Sequence, residues 1–190
     1  MKRIFRGLMA LVALLPMVGC VSVQMPAATA NPVALEKLRA APVQSTNVGR
    51  FVLAPGKPSD MDTTLSGLRG SSMSPNGGSF AGQLRSQLIA DLSSAGLYDA
   101  KAPILIEGEL TDSMVDAAIG TGTARLAASF QVTRAGKKVY SKSLTVTDSW
   151  PSSFVGAVAL PEAMNRYSAL YKSLVIKLLE DSDFRAALAK

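Results

Sequence analysis

Side chains able to carry covalent or acid–base chemistry are few in this 190-residue chain, and their spacing narrows the choice further. Cys20 is the only thiol, and there is no histidine. One thiol forms neither an intramolecular disulfide nor a Cys-X-X-Cys redox pair. Without histidine, Ser-His-Asp and Cys-His nucleophilic catalysis are excluded, as are zinc sites of the usual His or Cys type. Carboxylates remain, with Glu107, Glu109, Asp112 and Asp116 in one short stretch. Strand alternation places Glu107 and Glu109 together on a solvated face. A calcium loop needs instead a dense turn of oxygen ligands with glycine at its bend. Gly120-Thr121-Gly122-Thr123 lacks the third glycine of a dinucleotide fingerprint and precedes a strand, so it reads as a turn. The pattern assigns no catalytic residue, no cofactor and no metal, and points to binding instead of catalysis.

Two further groups have the character of contact residues. Arg134, Lys137 and Lys138, with Lys142 nearby, cluster at a hairpin. They suit lipid headgroups or an anionic partner, but such residues more often guard an exposed strand edge against pairing. Phe154, Val155 and Val158 lie in residues 151–160, a run without charge. Such a run either folds into the core as a fifth extended segment or presents an apolar patch to a partner or lipid.

Cys20 closes an N-terminal segment with its own pattern. Lys2, Arg3 and Arg6 precede residues 7–19, which are uncharged and mostly Leu, Ala, Val and Met. That stretch is too short to span a bilayer, which takes roughly 20 apolar residues, and suits a signal-peptide core. With Val18-Gly19-Cys20 at its end, it resembles a bacterial lipoprotein leader. The resemblance implies cleavage before Cys20, acylation of its thiol and new amino group, and, with Val21 following, transfer to the outer membrane of a Gram-negative bacterium. Ordinary secretion by cleavage after Ala28-Thr29-Ala30 and an uncleaved anchor are the competing readings. Without Lys2, Arg3 and Arg6 the net charge falls from +6 to +3, so the basicity indicates no nucleic-acid partner.

Residues 1–19 read as signal peptide, 20–47 as a flexible tether and 48–190 as a single domain. Pro26, Pro32 and Pro42 with many Ala, Ser and Thr mark the tether, in which 34–40 could form a helix only by docking. A first strand is expected over 48–54, then a long Gly/Pro/Ser-rich loop over 55–78, either recognition loop or disordered. Phe80, Leu84, Leu88 and Leu92 set a helix over 79–95, capped by Ser79 and closed by Gly96. Alternation predicts strands over 104–115, 124–133 and 138–148. A last helix is expected from Pro161, and a short one capped by Asp183.

This order, β-α-β-β-β-α, predicts an α+β two-layer sandwich: an antiparallel four-stranded sheet with two amphipathic helices on one face. Its other face would be polar, carrying Glu107, Glu109, Arg125 and Gln131. By element order over 48–188, behind the leader ending at Cys20, the chain resembles small outer-membrane lipoproteins that assist envelope machines, such as the lipopolysaccharide-assembly lipoprotein and auxiliary lipoproteins of lipid ABC transporters. The resemblance implies a periplasm-facing, non-enzymatic accessory component of an assembly or transport system, bound to the membrane through its lipid and contacting an envelope complex or lipid. The alternative is a surface lipoprotein that binds a solute or polysaccharide in a pocket lined by Tyr or Trp.

Overall fold

The computed structural model describes residues 22–40 and 42–189. The leader over 1–19 and the acylation site at Cys20 lie outside the described residues. In chain order the elements are β1 (Ser22–Gln24), α1 (Pro32–Ala40), β2 (Asn47–Leu53), β3 (Leu65–Leu68), β4 (Ser71–Ser74), α2 (Phe80–Ser94), β5 (Ile104–Asp116), β6 (Gly120–Arg134), β7 (Lys137–Ser152), α3 (Gly156–Glu180) and α4 (Ser182–Leu188). They make an α+β fold with a four-stranded sheet ordered β2-β5-β6-β7 and a three-stranded sheet ordered β1-β4-β3.

The alternation read from the sequence sets the main sheet. Ile104, Ile106, Leu110, Leu126, Ala128, Phe130 and Val132 are buried toward the helices. Glu109 and Arg125 are exposed, and Glu107 and Gln131 half-buried, on the opposite face. The helices α2 and α3 supply the other half of the core through Leu84, Leu88, Leu92, Tyr167, Leu170, Tyr171 and Leu174. Ser79 caps α2 by accepting from the Gly82 N–H at 2.9 Å, and Gly96 adopts φ +71° where the helix closes. Gly108 makes room for a neighbour: a Cβ there would stand 2.5 Å from the Phe51 ring, which packs edge-on against Phe130.

Five expectations are corrected. The sheet is mixed, because β2 runs parallel to β5. The α2 crossover between them permits this, whereas a short hairpin would have forced antiparallel pairing. Residues 55–78 form a 3-10 turn over Ser59–Asp62 and the β3–β4 hairpin, not an open loop. Leu65, Leu68 and Met73 bury this small sheet on the core, and β3 borders the end of β5, where the Ala117 N–H donates to the Gly67 carbonyl at 2.9 Å.

The expected tether is, over its described residues, part of the fold. Met25, Ala34, Leu38 and Val43 are buried, β1 pairs with β4, and α1 packs on α2 and α3. Helix α3 begins at Gly156 and contains Pro161 instead of starting there. Asp181, not Asp183, caps α4, accepting from the Asp183 and Phe184 N–H groups at 3.0 and 3.2 Å.

Candidate functional site

Three chain reversals meet at one end of the main sheet. They are the β3–β4 turn at Arg69-Gly70, the β5–β6 turn over 117–119, and the β7–α3 junction over 153–155. Arg69 and Gly70 both have positive φ, 49° and 86°, the backbone that a two-residue hairpin with native twist requires. That turn aims the Arg69 guanidinium across the end of the sheet. Its Nε donates to the Ala117 carbonyl at 2.6 Å, and Nη1 donates to the Phe154 carbonyl at 3.1 Å. Nη2 donates to the Ser153 carbonyl at 2.8 Å and to Ser152 Oγ at 3.2 Å. One planar cation thus ties all three reversals together.

The side chains that these reversals present are apolar and face solvent. Phe154 is 78 % exposed, Ile119 63 %, Val158 56 % and Val155 55 %. No charged side chain occurs in 117–121 or 152–160. Val155 is the N-cap of α3, and its carbonyl accepts from the Val158 and Ala159 N–H groups, both at 3.0 Å. Ala159 turns into the core, while Val155 and Val158 stay outside. Of the two readings of the charge-free run, exposure therefore applies at these positions. Just beneath, Trp150 is buried against Gly122, where a Cβ would lie 2.4 Å from the indole.

The basic residues are divided at the opposite end. Arg134 donates to the Ala189 carbonyl at 3.1 Å, and Lys142 pairs with Asp181 at 2.6 Å. Lys137 and Lys138 remain exposed at the hairpin. β7 is an edge strand of 16 residues, so lysines along it also hinder edge pairing. The hairpin and the apolar end are separated by the 15 residues of β6, roughly 45 Å at the usual rise, so the expected contact residues form two sites, not one.

Between the ends lies the polar face. It contains a groove of about 450 Å3 lined by Arg50, Val52, Glu107, Glu109, Gln131 and Lys138 among others. Both signs of charge are present and the groove is open, a surface suited to a protein side chain or backbone more than to an enclosed solute. Among the described residues no group of three or more His, Cys, Asp or Glu is placed to hold a metal, and no helix is long and apolar enough to cross a membrane.

Sequence reasoning missed Arg69 and Ile119. Nothing local marks Arg69, since its acceptors are 48 to 85 residues away. It also missed a buried polar ladder on α2. Gln83 donates to the Pro26 carbonyl, Gln87 to the Thr29 carbonyl and to Asp91, and Asp91 accepts from the Asn31 N–H at 2.7 Å. Their spacing of four placed them on one helix face, a signal that was present but polar.

No protein-family model and no curated protein matches this sequence. Among solved structures, the chain is similar to a Xanthomonas campestris protein of the DUF330 family, with 13 % identity, 84 % of this chain and 95 % of that chain covered, and a TM-score of 0.54. It is also similar to PelC of Paraburkholderia phytofirmans, solved as a dodecamer, at 14 % identity, 88 % and 95 % coverage and a TM-score of 0.44. A minor lipoprotein of Acinetobacter baumannii matches at 15 % identity, 72 % and 92 % coverage and a TM-score of 0.41. The first of these likenesses establishes the fold.

Proposed function

We propose that this chain is a lipid-anchored envelope protein of a Gram-negative bacterium, attached to the outer membrane through acylated Cys20 and facing the periplasm. It works without catalysis, as a binding or accessory component of an outer-membrane assembly or transport system. The observation that carries the binding reading is the polar face of the main sheet, which no described helix covers, with its open mixed-charge groove beside Glu107, Glu109, Gln131 and Lys138. The leader pattern carries the anchoring. Trp150, Tyr140, Tyr167 and Tyr171 are buried packing groups, so they make no aromatic platform for a sugar on that face.

Two measurements test the reading. Mass spectrometry of the N-terminal peptide from membranes should find an acylated Cys20 as the first residue. An unmodified N-terminus at Asn31, or an intact Met1, overturns the anchor. A photocrosslinking residue at Glu109 or Gln131 in cells should trap an envelope protein, with the same probe at exposed Glu36 as the control. Labelling at Glu109 and Gln131 no greater than at Glu36 overturns the binding face.

A further inference from the structure

The described chain begins at the same end of the molecule as the exposed apolar group. Strand β1 runs parallel to β4, with Ser22 opposite Ser72 and Gln24 opposite Ser74. β4 leaves the Arg69-Gly70 turn at Ser71, so the parallel partner also enters the sheet from the turn end. From Ser22 across to Ser72, back to Arg69 and along its side chain to the Phe154 carbonyl is a path of at most roughly 25 Å. The hairpin at Lys137 lies at the far end of β6 and β7. Cys20 precedes Ser22 by two residues, a reach of no more than about 7 Å. There is thus no long spacer between an acyl group on Cys20 and a folded, hydrogen-bonded strand.

We propose that Ile119, Phe154, Val155 and Val158 form a membrane-contacting apex that rests in the interface of the bilayer holding the Cys20 lipid, fixing the domain upright with its strands along the membrane normal and its polar sheet face turned sideways. This inference rests on the anchoring reading above. Three observations converge on a lipid surface as the occupant. The side chains the apex presents are apolar, and its one cation, Arg69, is turned onto the backbone carbonyls of the three reversals, whereas surfaces that recognise proteins usually ring an apolar centre with outward-facing polar groups. It stands at the end where the lipid-bearing chain enters. And the Ala117, Ser153 and Phe154 carbonyls are each hydrogen-bonded by Arg69, which lowers the cost of moving these backbone acceptors from bulk water to the interface. Acyl chains already hold the protein at the surface, so the apex needs to add only orientation.

The test uses the acylated full chain in phosphatidylcholine–phosphatidylglycerol vesicles. Phe154→Cys, Val158→Cys and Lys138→Cys are each labelled with a polarity-sensitive fluorophore; these positions are exposed, so the fold tolerates the change. Vesicle flotation comes first: a wild-type chain that fails to float, or a wild-type chain whose Cys20 takes up the label, removes the anchor reading itself. With flotation intact, labels at 154 and 158 should be quenched by spin-labelled lipid and shielded several-fold from aqueous iodide relative to the label at 138. Iodide access equal at all three positions overturns the apex. Shielding at 154 from both quenchers also overturns it, because a protein surface would then be the occupant.

Discussion

Asp91 is fully buried, yet its carboxylate faces no cation at hydrogen-bond distance; its partners are the Asn31 N–H and the Gln87 amide. Burial raises its pKa above the ordinary 3.8, against the opposing hydrogen bonds and the field of Lys172. The folded state therefore binds this proton more tightly than the unfolded chain. Stability from this group is fully present below the ordinary carboxylate pKa and is lost as pH rises through the folded value. Asp91→Asn should flatten that part of the stability-versus-pH curve in urea titrations. Asp91→Ala leaves the Asn31 N–H without its acceptor and should lower stability by about 1–3 kcal/mol. Limited proteolysis should then cut within 26–31, and an uncut Asp91→Ala chain would show that the ladder does not hold that segment.

At the scale of elements, two short structures depend on one side chain each. Arg69 joins the three reversals of the apolar end. Replacing it with glycine relieves its left-handed backbone, worth about 1 kcal/mol, but removes four hydrogen bonds worth together about 1–3 kcal/mol or more. Arg69→Gly should lower the melting temperature and speed amide exchange over 117–119 and 153–158; unchanged exchange there would show the clamp to be idle. Asp181 does the corresponding work for α4. Burial disfavours its charge, but Lys142 and the Phe184 and Asp183 N–H groups prevail and hold its pKa below the ordinary value. Its stabilisation is present above the ordinary carboxylate pKa and is lost as pH falls through the folded one. Wild type should therefore lose stability on acidification more steeply than Asp181→Asn, followed by circular dichroism from pH 6 downward.

For the whole molecule, the decisive fact is that the described residues 22–43, apart from 41, pack on the domain. Met25, Leu38 and Val43 are large apolar side chains buried against the domain, and each contributes about 1.5–3 kcal/mol when fully buried. A chain beginning at residue 48 should lose roughly 5 kcal/mol on that basis, comparable with the net stability of many domains. Thermal unfolding should show a large drop or no cooperative transition. A truncated chain as stable as the parent would return residues 22–47 to the role of tether, and with it weaken the case for an apex held close to the membrane.

Much of this was legible in the sequence. Period-two and helical spacing identified α2, β5, β6, β7 and α3, and placed Glu107, Glu109, Arg125 and Gln131 on the open face, because a long element repeats its burial pattern many times; β2 was marked by its residue types and the Pro55-Gly56 stop. Cys20 and its leader were equally legible, being a contiguous signal. Tertiary structure alone decided the rest. Strands of three or four residues such as β1, β3 and β4 carry too few repeats to declare themselves, and gain their stability from the sheet edge they meet. The Arg69 clamp acts on backbone carbonyls, which have no side-chain identity to read. Whether Phe154 and Val158 would be core or surface turned on how far α3 extends before Pro161, and that was settled by packing at Ala159, not by any local preference.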